Sequence, residues 1–378
     1  MTPLEGLRIL SLEVWGAGPY GSQLLSAAGA DVIKIENPVT GGDPSRYVGP
    51  NKLGPADSQY FQGWNTNKRS VALDLKTPDG QRDFHRLVGS ADAVMNNLRG
   101  DQPGKLGLDY ATLSEFNPAV VCLHLSAYGR DNERAAWPGF DFLMQAEAGL
   151  MSLTGDPDGP PARFGPSIID YMTGTTAMVG MLSCLLGARR TGKGCDVDVS
   201  LFDVALHQLG YAGTWCLNSD MRPTRQARSS HFSVAPVQTF PTADGWIFIM
   251  CMNQKFWLEL LRVLGQEQLA DEPRFADPNI RHDNIEAINA ALDPIFGQAT
   301  TAVWLERLSG VLPVAPVYDP EQALTSPFVA ASGMIQNVPH PEKSDLRLLT
   351  SPIRIDGRRA KLTPCPPLGA DNDELLQQ

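Results

Sequence analysis

Residues 6–36 restrict the fold more than any other stretch. The run 6–13 (GLRILSLE) has the apolar density of a buried strand. A glycine-rich turn follows at Gly16, Gly18 and Gly21, and residues 22–28 read as a helix closed by Gly29. Residues 31–36 (DVIKIE) read as a second short strand. Strand, helix and strand within about thirty residues make a βαβ unit with parallel strands and a right-handed crossover.

The alternation continues. Strands are expected at 70–75, 93–96, 120–126 and 195–201, and helices at 80–88, 110–115, 141–148, 173–188 and 202–211. This predicts an α/β domain with a mostly parallel, Rossmann-like sheet. The character changes after residue 218. Residues 236–250 read as two strands joined by a turn at 242–245, and helices are expected at 254–264, 284–296 and 301–309. The pattern predicts a smaller α+β domain. A chain of 378 residues has room for two or three domains. The expected division is 1–210 for the large domain, 220–330 for the small one, and 331–378 as a proline-rich segment returning to the first.

A formal net charge of −11 argues against nucleic acid or an anionic membrane as the main partner. An anionic small ligand would need a local basic pocket. The six cysteines include no CxxC pair and sit mostly in apolar segments, as reduced core thiols do. The six histidines form no HxxxH or HxH cluster, so no metal site is expected. The start MTPLEGLRIL lacks the basic and apolar regions of a signal peptide, and the apolar stretch 177–186 is too short to span a bilayer. The cytoplasm is the default compartment.

Gly16-x-Gly18-x-x-Gly21 after a strand, with Glu36 ending the next, has the spacing of a dinucleotide fingerprint. Pro19 speaks against it, because it removes an N–H from the turn that would cradle a pyrophosphate. A tight strand-to-helix turn, or contact with another phosphate ligand, is the competing reading.

Asp170 follows Ile168-Ile169 at the mouth of the most helical stretch. Helix N-terminal N–H groups stabilise a carboxylate anion there by about 0.3–1 kcal/mol, so a plain first-turn aspartate is one reading.

A set of segments in order carries a resemblance. They are PLEGLRILSLEVWGAGPYGSQLLSAAGADVIKIE near the start, NTNKRSVALDLKTPDG from Asn65, NNLRGDQPGKLGLDYATLSEFNPAVV from Asn96, PGFDFLMQAEAGLMSLTG from Pro138, SIIDYMTG from Ser167, RRTGKGCDVDVSLFD from Arg189 and PPLGADNDELL from Pro366. Together they resemble the class III CoA-transferase family, which also holds carnitine-CoA and bile-acid-inducible enzymes and acyl-CoA racemases. The resemblance implies a Rossmann-like large domain, a small domain and an interlocked homodimer. It implies coenzyme A or acyl-CoA as substrate, with no tightly bound cofactor, and a small carboxylic acid as the other partner.

By the same resemblance Asp170 is the nucleophile. It would attack the thioester to give an aspartyl–acyl anhydride, then an aspartyl-CoA thioester, from which CoA passes to the acceptor acid. The implied CoA contacts are Ala17, Lys68, Asn97, Leu98, Lys105 and Leu106, with Arg69 and Arg99 as neighbouring basic candidates. Trp15, Phe140 and Asp141 are implied at the substrate, Asp141 either at the site or capping its own helix. Related racemases carry Gly-His-Asp where this chain has Gly139-Phe140-Asp141, and a glutamate where it has Asn253. Neither replacement can act as a base, which favours transfer over racemisation. Formyl-CoA and oxalate enzymes have a glutamine in place of Gly16 and a glycine-rich loop in place of residues 229–233, and the family often has arginine in place of Asn37. The first two departures put formate and oxalate in doubt, and the third implies that one phosphate or ribose contact is missing or supplied by another residue. An acyl-CoA racemase or isomerase, a non-catalytic CoA-binding protein and a nucleotide-dependent oxidoreductase remain as alternatives.

Overall fold

A computed structural model describes residues 2–377. Six strands form one sheet: β1 (Arg8–Leu12), β2 (Asp31–Glu36), β3 (Arg69–Ala72), β4 (Ala93–Asn96), β5 (Val121–Ser126) and β6 (Cys195–Ser200). Their order is β3-β2-β1-β4-β5-β6, and every neighbouring pair is parallel. The strand order reverses between β1 and β4, which opens a crevice at their carboxyl ends.

Helices α1 (Ala17–Ala27), α2 (Gln59–Asn65), α3 (Pro78–Val88), α4 (Tyr110–Leu113), α5 (Asp141–Glu147), α6 (Ile168–Thr191) and α7 (Leu201–His207) belong to the same unit. Successive strand residues point to opposite faces, so each strand feeds two cores. Ile9, Val32, Ala93, Val121 and Leu123 pack with Ala177, Met181 and Leu185 of α6. Leu10, Ile33, Val94 and Cys122 pack on the other face with Phe84, Leu87 and Val88 of α3. Each such buried side chain contributes roughly 1.5–3 kcal/mol.

The large unit comprises Met1–Ala148, Phe164–Leu209 and Pro327–Gln378. Its last segment runs beside β3, where Asp371 accepts from the Ser70 N–H at 2.8 Å and Asn372 from the Ala72 N–H at 2.8 Å. The small unit comprises Gly149–Arg163 and Gly210–Ser326. Its helices are α8 (Gly210–Asn218), α9 (Gln254–Leu264), α10 (Pro278–Asp283), α11 (Ile285–Phe296), α12 (Thr301–Leu308) and α13 (Pro320–Thr325). β7 (Val237–Pro241), β8 (Trp246–Met250) and β9 (Val314–Pro316) make an antiparallel sheet. Phe240, Ile249, Trp257, Leu260, Phe296 and Trp304 form its core.

Three expectations are corrected. Residues 149–163, read as part of the large domain, group with the small unit, where Gly159 accepts a hydrogen bond from Arg225 at 2.6 Å. The helix expected over 202–211 is two helices, separated where Gly210 takes φ +54°. The helix expected over 173–188 begins earlier, at Ile168, and spans 24 residues. By length and composition alone it is apolar enough to cross a membrane, but one side of it is the core face just described.

Candidate active site

Between β1 and α1 the chain passes through Glu13, Val14, Trp15 and Gly16 at the crevice. Asn97, just past β4, holds this turn: its Oδ1 accepts from the Val14 N–H at 2.9 Å and its Nδ2 donates to the Val14 carbonyl at 2.6 Å. The Trp15 N–H donates to Asp43 Oδ1 at 3.3 Å. Asp43 is itself paired with Lys34 at 2.9 Å, both side chains fully out of solvent. These contacts keep Trp15 at φ +65°, a conformation bulky residues rarely adopt.

The three glycines of the false fingerprint serve packing. A Cβ on Gly16 would lie 2.4 Å from Asp170 Oδ2, one on Gly18 would lie 2.9 Å from the Glu13 side chain, and one on Gly21 would lie 2.9 Å from the Gly174 carbonyl. A Cβ on Gly174 would in turn lie 2.5 Å from the Ala17 carbonyl. Bare backbone at these points lets α1 and α6 touch and sets the Asp170 carboxylate against the start of α1. Glu36 is not free for a ribose. Arg46 grips it with two hydrogen bonds of 2.9 and 2.8 Å, and Ser70 Oγ and the Asp43 N–H donate at 3.0 Å.

Asp170 is the third residue of α6. Among the described residues nothing donates a hydrogen bond to its carboxylate. Burial first, and the nearby Asp141 charge second, push it up to about 7. Asp141 starts α5, yet its carboxylate serves α6: Oδ2 accepts from the Ile169 and Asp170 N–H groups at 2.6 and 3.0 Å. It therefore caps a neighbouring helix rather than its own. Four aromatic residues that the sequence did not single out stand around the start of α6. Tyr20, Trp64 and Tyr171 cluster with ring centroids 4.9–5.5 Å apart. The Tyr60 phenol is pushed up to about 12 by burial and then by the Asp170 charge, so it stays protonated beside it.

Two cavities adjoin here. The first, about 270 Å³, brings together Asp170, Trp15, Ala17, Asn97, Arg99 and Phe140. The second, about 190 Å³, lies at the ends of β1, β2 and β3 and includes Asn37, Leu75, Lys76 and Leu106. Val14 and Leu98 line both. Ala17, Asn97, Leu98, Leu106, Trp15 and Phe140 thus meet at this double cavity, as does Asp170.

Two expected CoA contacts do not. Lys68 is buried, and its ammonium group is taken up by Glu13 Oε1 at 2.7 Å, Asn65 Oδ1 at 2.9 Å and the Pro19 carbonyl at 3.1 Å. All three of its donors are used inside the protein, and burial lowers it to about 8. Lys105 lines neither cavity and pairs with Asp101 at 2.6 Å on the surface. Arg69 is likewise committed, to Glu374 and Asp371. A cation that sequence reasoning did not single out, Lys76, lines the second cavity; the signal was there, a lysine closing the run VALDLK that begins in β3. Phe140 is not a core residue but 57% exposed, edge-on to Trp15 at 6.5 Å. Asn253 serves as the N-cap of α9, accepting from the Phe256 N–H at 3.0 Å.

Strand order and crevice define a doubly wound α/β protein whose site lies at the carboxyl ends of its central strands. The sequence profile of CoA-transferase family III matches residues 4–372. Succinate–glutarate CoA-transferase of Agrobacterium fabrum is 31% identical, the alignment covering 100% of this chain and 95% of that protein. Acetyl-CoA:oxalate CoA-transferase of Acetobacter aceti is 33% identical, over 94% of this chain and 90% of the other. The crystal structure of a CAIB/BAIF family protein from Brucella suis superposes with a TM-score of 0.85 at 32% identity, covering 99% of this chain and 98% of that one. The chain belongs to CoA-transferase family III, and it is an enzyme of that class.

Proposed function

We propose that Asp170 carries CoA transfer through covalent intermediates. The observation that carries this reading is a half-buried carboxylate to which no described residue donates a hydrogen bond, facing a cavity that shares Val14 and Leu98 with a second cavity at the strand ends. The second cavity suits the nucleotide end of CoA, with Lys76 available to a phosphate, and the first suits the thioester.

The Asp170 oxygen attacks the thioester carbon, the C–S bond breaks, and CoA thiolate leaves behind an aspartyl–acyl anhydride. The thiolate then attacks the aspartyl carbonyl, releasing the donor carboxylate and leaving an aspartyl-CoA thioester. The acceptor carboxylate attacks that carbonyl and expels the thiolate. The thiolate finally attacks the acceptor's own carbonyl, giving the new acyl-CoA and restoring Asp170. No net proton is consumed, so no second base is required. This fits Phe140 in the place of a racemase histidine.

Relatives named for succinate and glutarate support a short dicarboxylic acid as donor or acceptor. Arg99, the one cation lining the Asp170 cavity among the described residues, would meet its second carboxylate. The proposal includes a homodimer, supported by Met172, Val179 and Leu186, exposed at seven-residue spacing along α6. Sedimentation equilibrium giving a monomer at micromolar concentration removes that part.

The test is CoA exchange between succinyl-CoA and labelled acids. Asp170→Asn is expected to lower exchange by at least about a thousandfold while the fold survives. Near-normal exchange in that variant overturns the assignment. Deuterium entering the α-carbon without any acceptor acid would favour the racemase reading instead.

A further inference from the structure

A carboxylate in the first turn of a helix ordinarily sits among N–H groups that no helical carbonyl satisfies, and these stabilise its anion. Such stabilisation suits a structural aspartate and weakens a nucleophile. Ser167 is the N-cap of α6, a position serine favours, yet its side chain makes no capping hydrogen bond. Asp141 stands in its place, reaching from α5 to take the Ile169 and Asp170 N–H groups on a single oxygen. Its other oxygen is held by Gln145 Nε2 at 2.5 Å. Gln145 Oε1 in turn accepts from the Phe164 N–H at 2.8 Å, on the segment that leads into α6. Asp141 is itself 3% exposed.

We propose that Asp141 is a positioning residue: by occupying the N–H groups at the start of α6, it aims Asp170 into the cavity and keeps the nucleophile's own carboxylate free of hydrogen bonds. The Asp141 charge beside it also disfavours ionisation, which raises the basicity and hence the intrinsic nucleophilicity of the anion that does form. Asp141 touches no reacting atom and works through backbone and field. The other groups facing Asp170 are Tyr60 from α2, Tyr20 from α1, Tyr171 on α6 itself and Arg99 across the cavity. The Tyr60 and Tyr171 phenols are pushed up and stay neutral, which leaves Asp141 as the anion that acts on the Asp170 carboxylate.

This inference rests on Asp170 as nucleophile, and the test separates the two. Wild type, Asp141→Asn and Asp141→Ala are compared in the first half-reaction, the release of the donor acid from an acyl-CoA without acceptor, as a function of pH. The asparagine keeps an oxygen for both N–H groups but removes the charge. Its acid limb is expected to move down by roughly half a pH unit or more, with a plateau about tenfold lower. The alanine variant loses the cap as well, and a fall of about a hundredfold is expected, with KM for acyl-CoA nearly unchanged. An acid limb in Asp141→Asn that coincides with wild type overturns the proposal, whatever happens to the rate. So does an alanine variant as fast as the asparagine one. If alanine prevents folding, the position of the asparagine limb decides. Trapping of an adduct on wild-type Asp170 is run alongside: its absence overturns the nucleophile reading itself, whereas an adduct with an unmoved limb overturns only the role of Asp141.

Discussion

Asp170 costs the fold stability once it is charged. An ordinary aspartate titrates near 3.8, and this one at about 7. Between those values the folded protein holds a proton that the unfolded chain has lost. Stability therefore falls as pH rises through this window, and the full loss is present above about 7. Three units correspond to at most about 4 kcal/mol. Asp170→Asn removes the titration, so its advantage over wild type is expected to grow from near zero at pH 4 to about 2–4 kcal/mol at pH 8 in urea unfolding. Parallel stability curves for the two proteins would contradict the burial argument. Gly16→Ala tests the same contact from the other side. Its new Cβ would lie 2.4 Å from Asp170 Oδ2, so the carboxylate must move. A displacement on the order of 1 Å is expected to cost about a hundredfold in kcat, with little change in melting temperature. Unchanged kcat would mean that Asp170 does not act from this position.

At the scale of elements, what the sequence revealed and what it hid have a common cause. Strands β1, β2, β4 and β5 carry apolar residues toward both faces because both faces of the sheet are covered, so they stand out locally. Helix α9 has a clear amphipathic pattern and an asparagine cap, and its bounds are those expected. Helix α2 (QYFQGWN) has no such pattern and was not anticipated. The first turn of α6, residues 168–172, was not anticipated, because no side-chain cap of its own marks the start; Gly174, inside the helix, is glycine because the Ala17 carbonyl leaves no room for a side chain. Asp141 and Lys68 were misjudged for a related reason. Their partners lie 28 and 55 residues away in sequence, and no local pattern records them. Lys68 and Lys76 are distinguishable by experiment. Lys68→Met strands Glu13 without its ion-pair partner in the interior and is expected to destabilise the fold by about 3–5 kcal/mol. Lys76→Ala is expected to leave the melting temperature alone and raise KM for acyl-CoA roughly tenfold. The reverse pattern would return Lys68 to the CoA site.

For the molecule as a whole, the sheet topology decides where chemistry happens. Once β1 is central and the order turns at β4, the loops after both strands converge on one crevice, and the starts of α1 and α6 meet beside it. The first βαβ unit announced this arrangement from sequence, whereas the grouping of residues 149–163 with the small unit had no local signal. The family relationship places CoA chemistry on this scaffold, and the unpaired carboxylate at the crevice is where covalent transfer is proposed. The most direct test is to incubate the enzyme with a panel of acyl-CoAs, trap with hydroxylamine or borohydride, and map the modified peptide by mass spectrometry. The predicted result is a single modification on Asp170, formed with at least one short dicarboxylic acyl-CoA and absent from Asp170→Asn. Saturable acyl-CoA binding with no modification of Asp170 by any donor would contradict the covalent mechanism.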